Sequence, residues 1–396
     1  MNVLVINAGS SSLKYQLINM VDQQVLCKGQ VERIGIEGSF LKQKGGAEEA
    51  DIHAEIKNHN DAIQMVLEAL TDAKHGVVQS LEDIDAVGHR VLHGGEKFAD
   101  PVLVDEQVIH DLEAIADLGP LHMPANMSGI KACQQAMPVP QVAVFDTGFH
   151  QTMPPKAYLY GLPYEAYEKH KVRRYGFHGT SHLFVSQRAA ELRGTEKGRM
   201  ITCHLGNGSS LCAILDGKCM DTSMGLTPLE GVVMGTRSGD MDPAIVKFIM
   251  EKEHKTIEEM DHYLNKESGV YGLSGVSSDF RDLAKAAAEG HQRAILALDV
   301  FIYRIQKYIG AYAAALGGVD TLVFTAGIGE NDAKMRKDIL TGMEWLGIQL
   351  DDEANQQRGE HKISAPDSKV EVWVIPTNEE LVIARETVRL AKQAKA

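Results

Sequence analysis

Asn7-Ala8-Gly9-Ser10-Ser11-Ser12-Leu13-Lys14 and, much later in the chain, Leu205-Gly206-Asn207-Gly208-Ser209-Ser210-Leu211 say nearly the same thing. Each follows an apolar run, Val3 to Ile6 and Met200 to Leu205, and each leads into another, Tyr15 to Ile18 and Cys212 to Leu215. A strand that ends in glycine and small hydroxyl residues and then folds back makes a tight turn of backbone N–H and hydroxyl donors. Ser10 and Ser12 supply such hydroxyls in the first copy. Turns of this kind suit phosphate oxygens. Two copies imply two lobes that hold one polyphosphate.

The other polar strings are consistent with anion chemistry. His89-Arg90-Val91-Leu92-His93 ends a strand-like run. Arg90 is a permanently charged fork that can take a carboxylate or a phosphate through two parallel bonds, although taken alone a surface ion pair is the simpler reading. Phe145-Asp146-Thr147-Gly148 ends another run. An aspartic protease needs two such carboxylates sharing a proton, and Asp221-Thr222-Ser223-Met224-Gly225 breaks the pattern, so protease chemistry is set aside. Arg173-Arg174-Tyr175-Gly176-Phe177-His178-Gly179-Thr180-Ser181-His182 crowds two arginines and two histidines together. His178 and His182 have the i, i+4 spacing that zinc can use, but neither an H-E-x-x-H pattern nor an obvious third ligand accompanies them. A loop presenting imidazole donors to an anion accounts for them better. Arg237 lies in a Gly/Ser/Thr-rich loop, Gly235 to Asp240, of the kind that holds phosphate and also makes ordinary turns. Ala326-Gly327-Ile328-Gly329-Glu330-Asn331 follows an apolar run and serves either close ligand approach or a plain strand-to-helix turn. Glu379 follows Pro376-Thr377-Asn378 at a helix start, where an acid complements the helix dipole; only its company makes it a candidate Mg²⁺ carboxylate. No G-x-x-x-x-G-K-[ST] occurs, so the P-loop reading fails; no G-x-G-x-x-G opens a helix, which makes the Rossmann reading weak; and no H-R-D or D-F-G triplet of the protein-kinase kind is present.

Positioning these residues requires two blocks with the same order of elements. The first reads as strands near 2–7, 12–18 and 24–30, a helix over 61–75 stopping at Gly76, a strand near 85–92, a helix over 105–118 stopping at Gly119-Pro120, and a strand near 141–145. The second reads as strands near 200–205, 210–215 and 218–221, several helices, and strands near 320–325 and 371–375. Asp242-Pro243 reads as an N-cap with proline at the first helical position. A long helix over 292–316 carries Ile295, Leu298, Ile302, Ile305, Ile309 and Tyr312 along its apolar face and closes at Gly317-Gly318. Three strands in a meander, then strands separated by helices, twice over, predict an α/β fold of two similar lobes with mixed sheets. The expected division is 1–150 plus 381–396, the last helix crossing back onto the first lobe, against 151–380.

The 396 residues suffice for such a duplication, with 44% hydrophobic and 24% charged residues. A formal charge of −14 argues against a general nucleic-acid or anionic-membrane binder. No apolar run approaches the roughly 20 residues of a membrane span, and no secretion signal is visible. Cys27, Cys133, Cys203, Cys212 and Cys219 form no C-x-x-C pair, which predicts reduced core cysteines in a cytoplasmic protein.

Taken in order, the strings Asn7–Lys14, His89-Arg90, Phe145–Thr147, Arg174–His182, His204–Ser210, Gly235–Asp240, Gly327–Asn331 and Pro376–Glu380 closely resemble the acetokinase (acetate kinase) family, within the superfamily of sugar kinases, heat-shock ATPases and actin, over nearly the whole chain. The resemblance implies an actin-like, ribonuclease H-like duplication. It also implies reversible, Mg²⁺-dependent transfer of the ATP γ-phosphoryl to acetate, giving acetyl phosphate and ADP, in a homodimer; Mn²⁺ is a possible substitute metal. It places the metal at Asn7 and Glu379. It assigns the nucleotide to Lys14, to His204, Leu205, Gly206, Asn207 and Gly208, to Asp279, Phe280 and Arg281, and to Gly327, Ile328, Gly329, Glu330 and Asn331. Arg90 holds the substrate, Asp146 is the catalytic acid, and His178 with Arg237 stabilises the transferring phosphoryl. Acetate, however, is ionised at neutral pH, with a pKa of roughly 4–5 like other carboxylic acids, so the nucleophile has no proton to lose. Asp146 is therefore expected to orient Mg²⁺ waters or an arginine. Leu92 stands where the family more often has valine, which would narrow the pocket for the acyl methyl; Leu121, Phe177 and Pro228 are its other apolar neighbours by sequence.

Two other readings use the same strings. One is a propionate or butyrate kinase with this machinery. The other is an actin-like ATP-binding switch without acceptor turnover, which has no need of Arg90 and His178 facing an acceptor.

Overall fold

A computed structural model describes residues 1–120 and 122–394. The chain divides into two compact units, Met1–Gly148 with Asn378–Ala396, and Phe149–Thr377.

The first unit is built on an eight-stranded sheet. Its strands are β1 (Asn2–Ala8), β2 (Ser12–Asn19), β3 (Gln24–Glu32), β4 (Phe40–Lys44), β5 (Ala50–His53), β6 (Ala86–Val91), β7 (Val102–Leu103) and β8 (Gln141–Phe145), in the order β5-β4-β3-β2-β1-β6-β8-β7. The second unit has β9 (Arg199–Leu205), β10 (Ser209–Leu215), β11 (Lys218–Thr222), β12 (Thr321–Thr325), β13 (His361–Lys362) and β14 (Glu371–Val374), in the order β11-β10-β9-β12-β14-β13. The two share a plan. In each, three strands run as an antiparallel meander, and the first of them pairs in parallel with a fourth, which pairs in parallel with a fifth. A short antiparallel strand then covers that edge, β7 on β8 and β13 on β14. The fold is thus a mixed α/β duplication. The parallel strands are apolar on both faces because helices cover both: β8 and β12 are buried along their whole length.

In the first unit, one sheet face packs on the helices His59–Thr71 and Met123–Ala136, and the other on Glu379–Ala394. The last contact is close. A Cβ on Gly88 of β6 would stand 2.4 Å from Thr387 Oγ1 and 2.7 Å from Ile383 Cγ2, so the helix sits directly on that strand's backbone.

Several boundaries moved for local reasons. The first helix ends at Thr71 rather than Gly76, because the Asp72 carboxylate accepts from Lys74 N at 2.8 Å and His75 N at 2.9 Å, an alternative to helical pairing. The expected 105–118 helix is Glu106–Glu113, capped by Asp105, followed by a short 3₁₀ turn at Ala116–Leu118. Pro243 is itself the N-cap of Ala244–Glu253, one residue later than expected, while Asp242 Oδ1 accepts from Ala244 N at 2.9 Å. Gln292–Leu316 forms as expected, ending in a left-handed Gly317 (φ 70°), but its buried line is Ala294, Ala297, Phe301, Ile305, Ile309 and Tyr312; Ile295, Leu298 and Ile302 are only half-buried. Ala294, Ala297 and Phe301 share one buried cluster with Ile201, Leu211 and Ala213 of the sheet, and Phe301 packs on Phe280 with ring centroids 4.6 Å apart. β4 and β5 escaped the sequence reading because an inward position of β4 is polar: Gln43 is buried, accepting from Tyr15 Oη at 2.7 Å and donating to His75 O at 2.8 Å. Among the described residues no helix is long and apolar enough to cross a membrane.

Candidate active site

In the first unit the polar residues gather at the C-terminal ends of parallel strands β1, β6 and β8, where open α/β sheets present their crevices. Asn7 ends β1 opposite Lys14 of β2, Arg90 lies in β6, and Asp146 follows β8. Arg90 grips Asp146 with a fork, Nη2 at 2.8 Å from Oδ2 and Nε at 3.3 Å from Oδ1, while Nη1 reaches Asn7 Oδ1 at 3.4 Å. Asp146 is 1% exposed and the Arg90 side chain 25%, so the carboxylate lies behind the guanidinium. Asp146 above all holds the guanidinium pKa above its ordinary value; burial opposes this, and Glu379 and Glu380 of the final helix add to it. Glu379 therefore shares the electrostatic field of Arg90, and Asn378 Oδ1 caps that helix by accepting from Leu381 N at 3.1 Å.

Two residues that the sequence reading passed over hold this set in place. Buried Asn126 accepts from Leu92 N at 2.9 Å and donates to Ala8 O at 2.6 Å, tying the end of β6 to the end of β1. His59 places Nε2 at 2.7 Å from Gly9 O and so pins the turn that carries Ser10 and Ser12. Leu92 is buried beside Gly119. Leu121 lies outside the described residues.

The second unit supplies a different set. Gly206 and Asn207, with Ser278, Asp279, Phe280, Arg281, Gly327, Ile328, Asn331 and Asp332, line a cleft of about 610 Å³. Eight of these ten come from the three strings assigned to nucleotide; Ser278 and Asp332 are additions. One residue beyond Asn207, the Cα of Gly208 faces two cationic or donor groups. A Cβ there would stand 3.4 Å from Arg237 Nη1 and 3.6 Å from His178 Cε1. The turn is fixed to the Arg237 loop through Gly235 N, which donates to Asn207 O at 2.9 Å.

Arg237 differs in its partners from Arg174 and Arg199 of the same unit. Arg174 has Glu230 at 2.6 Å and Arg199 has Asp320 at 2.6 Å. Among the described residues Arg237 Nη1 meets the Pro228 carbonyl at 3.2 Å and Met234 Sδ at 3.9 Å and no carboxylate, and burial lowers its pKa. A partly buried cation that has no carboxylate beside it leaves its charge available to an anion. His178 stands in the left-handed region (φ 57°) at the start of helix Gly179–Arg193, with Nδ1 at 2.9 Å from Ser210 Oγ and its ring stacked on His204 at 4.0 Å. Ser210 Oγ also lies 2.8 Å from Nε2 of His182, whose pKa burial drives well below the usual imidazole range; Thr202 engages the other nitrogen at 2.7 Å. With both ring nitrogens so occupied, His182 serves to position Ser210.

Other members of the strings turn inward. Leu205, Phe177 and Gly329 are buried, and Glu330 Oε1 accepts from Ala326 N at 2.8 Å and Thr377 N at 3.0 Å, joining the ends of β12 and β14. Gly327-Ile328-Gly329 belongs to a short helix, Ala326–Asn331, which begins directly at the strand end with Ala326 at φ 64°.

Comparison with known proteins gives this arrangement its relatives. The sequence profile of the acetokinase family matches residues 2–385. The chain belongs to the acetokinase family. An acetate kinase of Treponema denticola is 61% identical over 397 aligned positions, covering 99% of this chain and 100% of that one. A crystal structure of the Porphyromonas gingivalis acetate kinase superposes with a TM-score of 0.95 at 50% identity, covering 98% of this chain and 99% of that one. A propionate kinase from Francisella tularensis superposes at 0.92 with 43% identity, again covering 98% and 99%. Acetokinase membership leaves the role of Asn126 to be tested in this chain. Asn126→Ala removes both strand-end bonds and leaves Leu92 N and Ala8 O buried without them, a cost of about 1–3 kcal/mol for each unsatisfied group. A fall in midpoint temperature is expected in thermal unfolding, together with a higher KM for the acceptor acid.

Proposed function

We propose that the chain catalyses reversible transfer of the ATP γ-phosphoryl group to acetate, forming acetyl phosphate and ADP. The observation that carries this reading is that the 206–207 cleft gives way, at the next residue, to His178 and an Arg237 that lacks a carboxylate. A transferring phosphoryl spreads negative charge over three equatorial oxygens, and positioned cations and donors supply most of the catalysis. In this reading the cleft holds the nucleotide through Gly206, Asn207, Asp279–Arg281 and Gly327–Asn331. His178 and Arg237 neutralise the migrating group. Arg90 holds the acetate carboxylate with the edge of its guanidinium that Asp146 does not use, and Lys14 assists the phosphates.

The hard oxygen donors Asn7 Oδ1 and Glu379 suit Mg²⁺, which binds through one or two protein ligands plus substrate phosphates. When bound, the ion supplies charge neutralisation to the polyphosphate. Mn²⁺ accepts the same ligand set. We place the enzyme in the cytoplasm, in keeping with five unpaired cysteines.

Trapping with hydroxylamine tests the reaction, because acetyl phosphate gives a hydroxamate and free phosphate does not. ATP- and acetate-dependent hydroxamate is expected; ATP hydrolysis without it would leave the switch reading in place. Run over acetate, propionate and butyrate, the same assay examines the acyl pocket. A methylene is worth about 1–3 kcal/mol in such a pocket, so Leu92→Ala is expected to raise propionate turnover relative to acetate by about tenfold. An unchanged ratio would remove Leu92 from the pocket.

We also assign the chain to a homodimer. Ile245 and Phe248 are exposed three residues apart on the helix Ala244–Glu253, and Leu296 and Tyr303 seven apart on Gln292–Leu316, so each pair gives one helix an exposed apolar face that a second copy would cover. Light scattering is expected to give twice the 43.3 kDa chain mass; Phe248→Glu with Tyr303→Glu is expected to halve it.

A further inference from the structure

Three soft donors meet in the second unit beneath the loop that carries His178, and the phosphoryl chemistry uses none of them. Cys212 of β10 and Cys219 of β11 share a sheet face, since Cys219 pairs with Ile214 two residues along from Cys212. The ladder slips between Ala213 and Ile214, and the two sulfurs lie 3.4 Å apart. His150 Nδ1 stands 3.2 Å from Cys219 Sγ and 3.9 Å from Cys212 Sγ. All three residues are buried. The other ring nitrogen, Nε2, is 2.9 Å from the Phe177 carbonyl. A carbonyl can only accept, so Nε2 carries the hydrogen, and in the neutral ring the Nδ1 lone pair points at the sulfurs.

We infer that Cys212, Cys219 and His150 form a binding site for a thiophilic closed-shell cation of the Zn²⁺ or Cu⁺ type. Two thiolates and an imidazole are the ligands such ions select. The spacing suits them too. A triangle with sides of 3.2, 3.4 and 3.9 Å has a centre about 2.0 Å from each corner, against metal–nitrogen and metal–sulfur lengths of about 2.0–2.3 Å. An ion slightly out of that plane meets all three atoms without rebuilding the strands and keeps an open side. The Phe177 carbonyl on Nε2 is the outer partner that a metal-binding histidine commonly has. Both thiols lose their protons on binding, so uptake releases protons and weakens with acid. Phe177 precedes His178, so the ion and the phosphoryl-site loop would share one imidazole.

The test uses the full chain, reduced and stripped with chelator, titrated with Co²⁺ as the probe. The expected result is one Co²⁺ per chain with a thiolate-to-cobalt charge-transfer band in the near ultraviolet. The band should vanish in Cys212→Ser and Cys219→Ser, weaken at least tenfold in affinity in His150→Gln, and persist in Cys203→Ser, a buried cysteine outside the cluster. Displacement of the probe by Zn²⁺ or by Cu⁺ sustains the site and tells the two ions apart. Absence of the band in the wild-type chain, or its survival in the Cys212/Cys219 double serine variant, overturns it. Should the serine variants fail to fold, X-ray absorption on Zn²⁺-loaded wild-type chain reads the ligand shell directly: two sulfurs and one nitrogen sustain the inference, and a shell without sulfur overturns it.

Discussion

Replacing Arg237 with alanine is expected to lower kcat for hydroxamate formation by about 10³-fold while the chain stays folded. The argument is electrostatic. Arg237 makes one bond to a carbonyl and one long contact to sulfur, and burial lowers its pKa with no carboxylate to restore it. Its removal therefore breaks no ion pair and costs the fold little. The loss falls on the state in which a phosphoryl group stands against the guanidinium. Binding of ATP, which we assign to the cleft around Gly206, Asp279 and Gly327, should change far less than kcat. Arg237→Lys keeps the charge but not the fork, and an intermediate loss is expected. A kcat within threefold of wild type in Arg237→Ala would remove this residue from the chemistry.

The sequence made some of this legible and hid the rest for identifiable reasons. Apolar runs beside Gly and Ser announce β1, β9 and β10, because strands buried on both faces are apolar nearly throughout and the turns between them need small residues; β2 alternates buried and outward residues and is announced by its place after the first turn. The Arg90 to Asp146 contact was not legible as a pair. It spans 56 residues and forms only because β6 and β8 are parallel neighbours. Asn126 was hidden for a similar reason: its Ala8 partner is 118 positions away, and a single polar residue within a helix carries no periodic signal. Glu330 shows the converse limit. A motif places it beside nucleotide-binding glycines, yet its carboxylate is engaged by the backbone at two strand ends. The three soft donors at 150, 212 and 219 fall into no spacing pattern at all. Only the slipped β10–β11 ladder and the turn of His150 toward it collect them.

Asp146→Asn is expected to lower kcat by about 10²–10³-fold, to raise the KM for acetate, and to raise the Mg²⁺ concentration needed for half-maximal rate. Asparagine keeps the shape and can accept one of the two Arg90 bonds, but it gives up the charge that does most to hold the guanidinium. Glu379 and Glu380 are then the strongest acids acting on Arg90. The side chain is expected to turn toward them, leaving the acceptor carboxylate and drawing Glu379 from the metal. The pH profile separates this orienting role from general-base catalysis. A base supplies its own acid limb to kcat, so its amide variant would lose that limb. An orienting carboxylate buried behind Arg90 leaves the shape of the profile intact and lowers the whole curve. Since acetate arrives already ionised, a lowered curve of unchanged shape is the expected outcome. A vanished acid limb would return Asp146 to proton transfer, and near-wild-type turnover would strip it of both roles and leave Arg90 to hold acetate unaided.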